Sequence, residues 1–404
     1  MVSQALAGIK VVELGSFIAA PYAAKLLADM GADVVKIEHP FTGDVARQHG
    51  PFPNDEPHPE KSGLFLFLNT NKRGVTLDVT SPTGRHVLRR LLQDADILIE
   101  SLPRAVVEEY GLDYPGLTQG NERLIVVSVT PFGRTGPWSR YKGHAINVTA
   151  ASGLSLQMGN LDRPPLTLPL SLADYAGGLS GAIGAQMALF ARRKTGRGQH
   201  VDAATLDILT TVQRPMDLAV FLSMGRIPRR KGHHRDGHVY PHTIMRCKDG
   251  YVAVTAIEGS QWKRFLEIMG MPAWASDPKY RDRWQVAERY AEEVDALVEP
   301  WMMEHTREEI FNVCRANRVP FCPVMTVDEV VRHPHFQERG FTTTVEHPVA
   351  GRVTAPGAPF QLSRTPWQVR CPAPLLGQHN VDVYRGQLGY GLSDLVAMRR
   401  AGVI

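Results

Sequence analysis

Several features that would point directly to a function are missing from this 404-residue sequence. It has four cysteines and no C-x-x-C pair, so nothing indicates a cysteine zinc site or a disulfide framework. It also lacks a G-x-S-x-G serine elbow, a P-loop and an H-E-x-x-H motif, which argues against three common enzyme classes. The 15 histidines are scattered along the chain, and we expect no metal cofactor.

The net charge and the hydropathy pattern argue against further classes of protein. The formal net charge is only +4, which argues against a nucleic-acid partner and leaves room for an anionic small ligand. No apolar run approaches the 18 residues of a membrane span, and the first ten residues lack the apolar region of a signal peptide. We therefore expect a cytoplasmic protein with no membrane partner, and its length predicts two domains.

The first third of the chain has the pattern of an α/β sheet. Residues 9–38 are predicted to form a strand, a helix and a strand, a βαβ unit that implies parallel pairing. Residues 64–100 are predicted to form a strand, a basic turn, a strand, a helix capped near Ser81 and a further strand. The first crossover turn lacks the G-x-G-x-x-G of dinucleotide folds, so Glu38 is only a weak candidate for ribose binding.

The composition and the predicted secondary structure of the chain change after residue 224. Residues 226–242 are basic and loop-like, and about 225–328 is predicted to form a small α+β domain. From residue 329 onward, short strands with Pro/Gly turns precede a C-terminal helix. The predicted segments are therefore 1–224, 225–328 and 329–404.

Asp174 is the residue around which the functional hypotheses are built. It stands where an extended stretch is expected to turn into a helix, and four glycines follow it within ten residues. An aspartate at this place is either a helix N-cap or a carboxylate nucleophile to which the glycines give another group access. The residues alone leave both hypotheses open.

Three other residues complete a candidate site. Lys72 and Arg73 lie in the basic turn, where they either hold phosphates or are simply solvated. His144 is expected near a helix start, where a lone histidine is more often structural than catalytic. An isolated carboxylate, a histidine and cations suit acyl chemistry on an anionic ligand, with no substrate specified.

Eight segments, in this order, resemble the family III CoA-transferases (the CaiB/BaiF family) over nearly the whole chain. Each motif is weak alone, and the set in the family's order is specific. The segments are LAGIKVVELGSFIAAPYAAKLLADMGADVVKIEHPFTGDVAR (6–47), NTNKRGVTLD (69–78), ADILIES (95–101), FGRTGPW (132–138), LADYAGG with TGRGQHVDAATLD (172–178 and 195–207), HPHFQERGF (333–341), HPVAGRVTAPGAPFQLSRTP (347–366) and PAPLLGQHN (372–380).

The resemblance implies an α/β fold with a Rossmann-like large domain built from both chain ends. Segment 329–404 would then complete 1–224, and the small α+β domain would be inserted between them. The resemblance further implies an interlocked homodimer. It implies coenzyme A, as an acyl-CoA substrate, with an acyl-CoA donor, a carboxylate acceptor and no metal.

The resemblance also assigns roles to single residues. Asp174 would attack the acyl-CoA thioester and form an aspartyl-acyl anhydride and then an aspartyl-CoA thioester. A helix N-terminus would favour its ionised form. The positions that correspond to CoA-binding segments of the family are Phe17, Ala19, His39, Lys72, Arg73, Ser101, Leu102, Arg104, Gly136 and Lys142.

Some positions depart from the formyl-CoA branch of the family. Ile18 stands in place of a glutamine and His39 in place of an arginine, and Glu100–Ser101–Leu102 replaces the start of E-N-F-x-P-G. The glycine-run loop of that branch is also missing. These departures argue against oxalate/formate specificity.

A second branch of the same family gives an alternative function. The α-methylacyl-CoA racemases have a G-H-D-I-N segment that resembles residues 143–147, although Ala145 replaces its aspartate. Glu258 resembles a glutamate that partners the racemase histidine. His144 with Asp174 and Glu258 would then act as acid and base in a racemase or isomerase. A non-catalytic acyl-CoA-binding protein is a third hypothesis.

Overall fold

The computed structural model describes residues 4–213, 215–234 and 236–404. The chain divides into two compact units. The first comprises Met1–Ser152, Leu168–Arg214 and His335–Ile404, and the second comprises Gly153–Thr167 and Pro215–Pro334. The predicted fold class, a large unit drawn from both chain ends with a smaller inserted unit, is confirmed. Residues 153–167 group with the second unit, although the sequence placed them in the first.

A six-stranded parallel sheet forms the centre of the first unit. Its strands lie in the order β3-β2-β1-β4-β5-β6, which is the order of a Rossmann fold. All of its pairings are parallel, as the βαβ pattern predicted. The strands are β1 (Lys10–Leu14), β2 (Asp33–Glu38), β3 (Lys72–Thr76), β4 (Ile97–Glu100), β5 (Ile125–Thr130) and β6 (His200–Ala204).

Helices cover both faces of this sheet, and several more lie in the second unit. In chain order they are α1 (Ala19–Asp29), α2 (Gly63–Leu68), α3 (Pro82–Gln93), α4 (Arg104–Tyr110), α5 (Tyr114–Leu117), α6 (Ala145–Ala151), α7 (Leu172–Thr195), α8 (Thr205–Gln213), α9 (Pro215–Met224), α10 (Gly259–Ile268), α11 (Arg283–Gln285), α12 (Ala291–Glu304), α13 (Arg307–Ala316), α14 (Val327–Arg332), α15 (Pro334–Glu338) and α16 (Leu392–Arg400). None of the described helices combines the length and the hydropathy that crossing a membrane requires.

The glycines of α7 serve packing. A Cβ on Gly178 would lie 2.5 Å from the Ala19 carbonyl oxygen, and one on Gly181 would lie 2.7 Å from a methyl group of Val129. The helix therefore approaches α1 and the sheet more closely than any other residue would permit. The expectation that these glycines give a substrate access is wrong for the positions that face the core.

The C-terminal segment protects an edge of the sheet. The Tyr384 hydroxyl donates to the Thr76 carbonyl oxygen at 2.7 Å, and the Thr76 N–H donates to Asn380 Oδ1 at 2.9 Å. Both contacts satisfy backbone groups of the edge strand β3 that would otherwise be open to another chain. The predicted short strands of this segment are present as the antiparallel pair β10 (Thr342–His347) and β11 (Gly351–Pro356).

One predicted strand is wrong. Residues 63–68 form α2, and the Ser62 hydroxyl caps it by accepting from the Phe65 N–H at 3.2 Å. Phe65 and Leu66 are buried against Ala46 and Ala373. A short apolar run carries no reliable period, so its cap and its tertiary contacts decide between strand and helix. The predicted cap of α3 is confirmed, since the Gly84 N–H donates to Ser81 Oγ at 3.0 Å.

The second unit has the α+β character that the sequence predicted. Its antiparallel sheet has the order β7-β8-β9, with strands β7 (His242–Cys247), β8 (Gly250–Thr255) and β9 (Cys322–Pro323). Aromatic side chains pack together in its core, as when Phe265 lies 4.6 Å from Phe321 between ring centroids. The unit therefore has an independent hydrophobic core.

Candidate active site

Asp174 lies in the first turn of α7, three positions after the N-cap residue Ser171. Its backbone N–H donates to the Ser171 carbonyl oxygen at 2.9 Å. The N-cap hypothesis is therefore wrong, because Asp174 is already inside the helix. Among the described residues, none donates a hydrogen bond to its half-buried carboxylate. That carboxylate has no structural partner within the described chain.

Burial dominates the electrostatics of this carboxyl group. It raises the pKa of Asp174 to about 6, and the charge of His144 opposes the rise. The helix N-terminus was expected to favour the ionised form of Asp174, and burial opposes this effect, since desolvation disfavours the charged form. With a pKa of about 6, roughly nine-tenths of the groups are still ionised at pH 7.

The N-terminal parts of α6 and α7 pack together, and this packing brings His144 towards Asp174. His144 is the N-cap residue of α6, and its N–H donates to Asn147 Oδ1 at 3.0 Å. Val148 of α6 and Ala173 of α7 are buried in one apolar cluster. The exposed imidazole is thus close enough to act on the Asp174 carboxyl group by its charge.

A cavity of about 280 Å³ lies at the carboxyl ends of β1, β2 and β4. Three of the predicted CoA-binding residues, His39, Ser101 and Leu102, line it. The strand order reverses between β1 and β4, and parallel α/β sheets bind ligands at such a switch point. Phe17 lies in the neighbouring connection from β1 to α1, and Ala19 is the first residue of α1.

Asp44 shapes that connection, and the sequence did not single it out. One of its carboxylate oxygens accepts from the Phe17 N–H at 2.9 Å and from Ser16 Oγ at 3.0 Å. The other accepts from Lys36 Nζ at 2.7 Å. Phe17 has a φ of 69°, which is unusual for a residue with a side chain and needs such support.

The structure corrects the expected position of Lys72. Its side chain is 1% exposed, its ammonium forms an ion pair with Glu13 at 2.7 Å, and it donates to the Pro21 carbonyl oxygen at 2.8 Å. Lys72 therefore opens β3 as a buried residue and does not lie on a solvated turn. A phosphate could contact it only if the ion pair opened. The neighbouring Arg73 pairs with Asp33 at 2.7 Å and is partly exposed.

The remaining predicted residues occupy two places. Arg104 donates to the Arg134 carbonyl oxygen at 2.8 Å and to Ser139 Oγ, and Ser139 Oγ donates to the Gly136 carbonyl oxygen at 2.8 Å. This network ties Arg104, the first residue of α4, to the loop that contains Gly136. Lys142 is exposed shortly after that loop. Their roles in CoA binding stay predictions.

Glu258 belongs to the second unit. It is the N-cap residue of α10, and its carboxylate accepts from Ser260 Oγ at 3.3 Å. Its predicted partnership with His144 stays a prediction.

Comparisons with known proteins identify the family. The sequence model of CoA-transferase family III matches residues 6–380, which is most of the chain. This chain belongs to that family. The succinate–glutarate CoA-transferase of Agrobacterium fabrum is 32% identical over 94% of both chains. The beta subunit of the succinyl-CoA–L-malate CoA-transferase of Chloroflexus aurantiacus is 33% identical over 99% of this chain and 98% of that protein.

Two further matches extend the comparison. The formyl-CoA:oxalate CoA-transferase of Afipia carboxidovorans is 29% identical and covers 100% of this chain and 98% of its own. The crystal structure of a CaiB/BaiF family protein from Brucella suis matches with a TM-score of 0.82 and 29% identity, over 95% of this chain and 99% of that one. The protein is therefore an enzyme of the CoA-transferase class, and the hypothesis of a non-catalytic binding protein is set aside.

Proposed function

We propose that this family III enzyme transfers coenzyme A from an acyl-CoA thioester to a carboxylic acid through covalent intermediates on Asp174. The observation that supports the proposal most strongly is the carboxylate itself. It is half-buried, receives no hydrogen bond from the described residues, and has a pKa raised to about 6 by burial. Such a group is mostly ionised at pH 7 and poorly solvated, which suits a nucleophile.

The proposed reaction needs no cofactor besides coenzyme A. An Asp174 oxygen attacks the thioester carbonyl, the C–S bond breaks, and an aspartyl-acyl anhydride and CoA thiolate form. The thiolate attacks the aspartyl carbonyl and releases the donor acid as a carboxylate. The acceptor carboxylate then attacks the aspartyl-CoA thioester, and the returning thiolate takes the new acyl group. Asp174 leaves as a carboxylate, so no net proton or electron is consumed.

We place part of the CoA in the cavity at the carboxyl ends of β1, β2 and β4. Three acidic residues line this cavity, and two of them are paired with cations, Glu38 with Arg47 and Asp44 with Lys36, each at 2.7 Å, which offsets their repulsion of an anionic ligand. The third, Asp78, accepts hydrogen bonds from the N–H and the hydroxyl of Thr80. Calorimetry with free CoA should show at least tenfold weaker binding to Ser101→Glu, because the new carboxylate faces the cavity. Ser276→Glu, on the exposed surface of the second unit, is the matched control.

Trapping tests the covalent step. The enzyme incubated with an acyl-CoA and then with hydroxylamine should yield a hydroxamate on the peptide that contains Asp174, and Asp174→Ala should yield none. If Asp174→Ala kept full CoA transfer, the proposed nucleophile would be wrong.

We propose succinyl-CoA as the donor and a dicarboxylate as the acceptor. Two relatives that match nearly the whole chain are named for succinate or succinyl-CoA. Ile18 and His39 differ from the formyl-CoA branch, which weighs against formyl-CoA and oxalate. Mass spectrometry of a grid of CoA donors against carboxylate acceptors checks this, and a preference for formyl-CoA and oxalate would contradict it.

A racemase or isomerase remains the second candidate because the charge of His144 reaches Asp174. An acid and a base on either side of an α-carbon would exchange its proton with solvent. Incubation of a branched acyl-CoA in deuterated water, with no acceptor acid, distinguishes the two activities. Label at the α-carbon without any carboxylate acceptor would favour the racemase.

We further propose that the enzyme is an interlocked homodimer. Four apolar side chains on one face of α7 are 40–68% exposed in the single chain: Leu179, Ile183, Met187 and Phe190. A second copy of the chain would bury this face. Ile183→Asp should lower the molar mass measured by light scattering, whereas Val396→Asp on α16 should not. Tagged copies of an interlocked dimer should exchange subunits only on unfolding.

A further inference from the structure

The second unit brings two histidines and an aspartate together at a place unrelated to the residues discussed above. His233 and His234 lie in the connection between α9 and β7, and Asp295 lies in α12. Their ligand atoms all lie within 4.8 Å of one another. Since Asp295 follows His233 by 62 positions, no local motif reveals this cluster, and the sequence predicted no metal.

Both imidazole rings converge on a single oxygen. His233 Nε2 lies 3.0 Å from Asp295 Oδ2, and His234 Nε2 lies 2.8 Å from the same atom. The two ring centroids are 4.3 Å apart. His234 Nε2 is shielded from solvent, yet its ring N–H points at no acceptor of the described residues despite the short contact. The contact of His233 with this oxygen has hydrogen-bond geometry, whereas the shorter contact of His234 does not, so His234 Nε2 could turn to a cation bound beside the same oxygen.

The carboxylate is oriented for this convergence. The Tyr240 hydroxyl donates to Asp295 Oδ1 at 2.8 Å, and Tyr240 itself is 2% exposed. This contact fixes the other oxygen, Oδ2, towards the imidazoles. Thr243 Oγ1 donates to the His233 carbonyl oxygen at 3.1 Å and holds the histidine segment in place. Outer partners of this kind orient the ligands of metal sites in proteins.

Charge and access also favour a cation. A cavity of about 590 Å³ borders His233 and Asp295. Glu292 and Glu299 line the same cavity from the same face of α12, three residues before and four residues after Asp295. Arg246 is the cation among the lining residues, so carboxylates outnumber it. The cavity leaves room for a water molecule beside the three protein atoms.

We propose that His233 Nε2, His234 Nε2 and Asp295 Oδ2 bind a divalent transition-metal ion of the zinc class, with water from the cavity in the fourth position. Imidazole nitrogens with one carboxylate favour such an ion over magnesium or calcium, which prefer all-oxygen sites. Tetrahedral ligands at zinc distances stand about 3.3 Å apart, so the observed contacts need to widen only by a few tenths of an ångström. The ion would tie the histidine segment to α12.

Metal titration of the whole chain tests the site. After a chelator is applied and removed, Zn²⁺ alone is titrated in competition with a chromophoric chelator, and the bound metal is counted by mass spectrometry. We expect one ion per chain to be lost, with at least 100-fold weaker binding, in His234→Ala and in Asp295→Asn. Tyr240→Phe should weaken binding by about 10–100-fold. His238→Ala removes an imidazole of the same segment from outside the cluster and should leave the affinity unchanged.

Thermal unfolding and Co²⁺ absorption spectra distinguish the loss of a metal site from a variant that fails to fold. His233 is 52% exposed, so His233→Ala should fold normally, and Zn²⁺ should raise the unfolding temperature of the wild type but not of this variant. Co²⁺ in the wild-type site should give the strong visible absorption of a tetrahedral ion. The proposal is overturned if the wild type takes up no ion, or if His233→Ala and Asp295→Asn bind Zn²⁺ as tightly as the wild type does. Neither outcome bears on CoA transfer.

Discussion

Asp44 and Asp174 are two aspartates at helix starts of the same unit with opposite environments. Asp44 is 3% exposed, caps a short 3-10 helix through the Ala46 N–H at 2.8 Å, and pairs with Lys36. Asp174 is half-buried and receives no hydrogen bond from the described residues. Burial raises the pKa of both carboxyl groups, and their hydrogen-bond and ion-pair partners determine whether the net change is a rise or a fall. One carboxylate is committed to structure, and the other is available for chemistry.

The pKa values of the two residues move in opposite directions. Burial alone would raise the pKa of Asp44, but the Lys36 charge and several hydrogen bonds outweigh it and lower that pKa. Asp44 therefore adds stability above pH 4, and this contribution is lost as the pH falls. The raised pKa of Asp174 has the opposite sign, so its ionisation above pH 4 costs stability. This contrast can be broken or sharpened by four sets of variants.

The largest effect is expected for Asp174→Asn. CoA transfer should fall by about 10³-fold or more, because the amide cannot act as the nucleophile. The free energy of unfolding at pH 7 should rise by roughly 1–3 kcal/mol, because a poorly solvated charge is removed. Steady-state kinetics and urea unfolding measure the two quantities. Loss of both activity and stability would place Asp174 with Asp44 as a structural residue.

The converse is expected for Asp44→Asn. Removing one partner of this buried ion-pair network leaves Lys36 with Glu13 alone, which Lys72 shares, and this should lower the free energy of unfolding by about 3 kcal/mol. Asp55 is an exposed aspartate in the following loop, and Asp55→Asn should change stability by about 0.5 kcal/mol at most. Urea unfolding near pH 7 measures both changes. An unchanged unfolding midpoint for Asp44→Asn would contradict the structural role of Asp44.

A smaller effect is expected for Gly178→Ala, which tests how the helix that carries Asp174 is seated. The added Cβ would lie 2.5 Å from a backbone oxygen, so the helix must shift, at a cost of about 1–3 kcal/mol. Ser180→Ala on the same helix is the control. If Gly178→Ala instead raised KM and left thermal stability intact, the glycine would serve substrate access after all.

The smallest effect concerns the pH profile. With a pKa of about 6 for Asp174, kcat/KM for CoA transfer should fall about tenfold per pH unit below that value. The charge of His144 lowers this pKa, so His144→Ala should move the acid limb to higher pH by a fraction of a unit and keep most activity. His86→Ala, on the exposed face of α3, should leave the profile unchanged. Complete loss of activity in His144→Ala would favour the racemase mechanism.

The sequence predicted most of the large unit because local patterns determine it. The strands 10–14 and 33–38 each contain a pair of valines and flank a helical period, and Ser81 is a strong cap signal. The prediction failed where contacts between residues far apart in the sequence determine the secondary structure. In α2, for example, the apolar residues pack against Ala46 and Ala373. Lys72 has the sequence of a solvated turn, and only the fold shows that Glu13 is its partner.

The same limit applies to the candidate site. The sequence singles out Asp174 as an isolated acid, but whether it caps the helix or stays unpaired depends on the three positions that separate it from Ser171. Asp44 was missed because its partners Phe17 and Lys36 come together only in the folded chain.

Isotope transfer tests the central claim most directly. In the proposed mechanism the acceptor carboxylate bonds to the Asp174 carbonyl, so an acceptor labelled with ¹⁸O should leave one labelled oxygen on Asp174 after turnover. Mass spectrometry of the peptide that contains Asp174 should therefore show the label, and the peptide that contains Asp44 should show none. Turnover without any label in Asp174 would contradict the covalent mechanism.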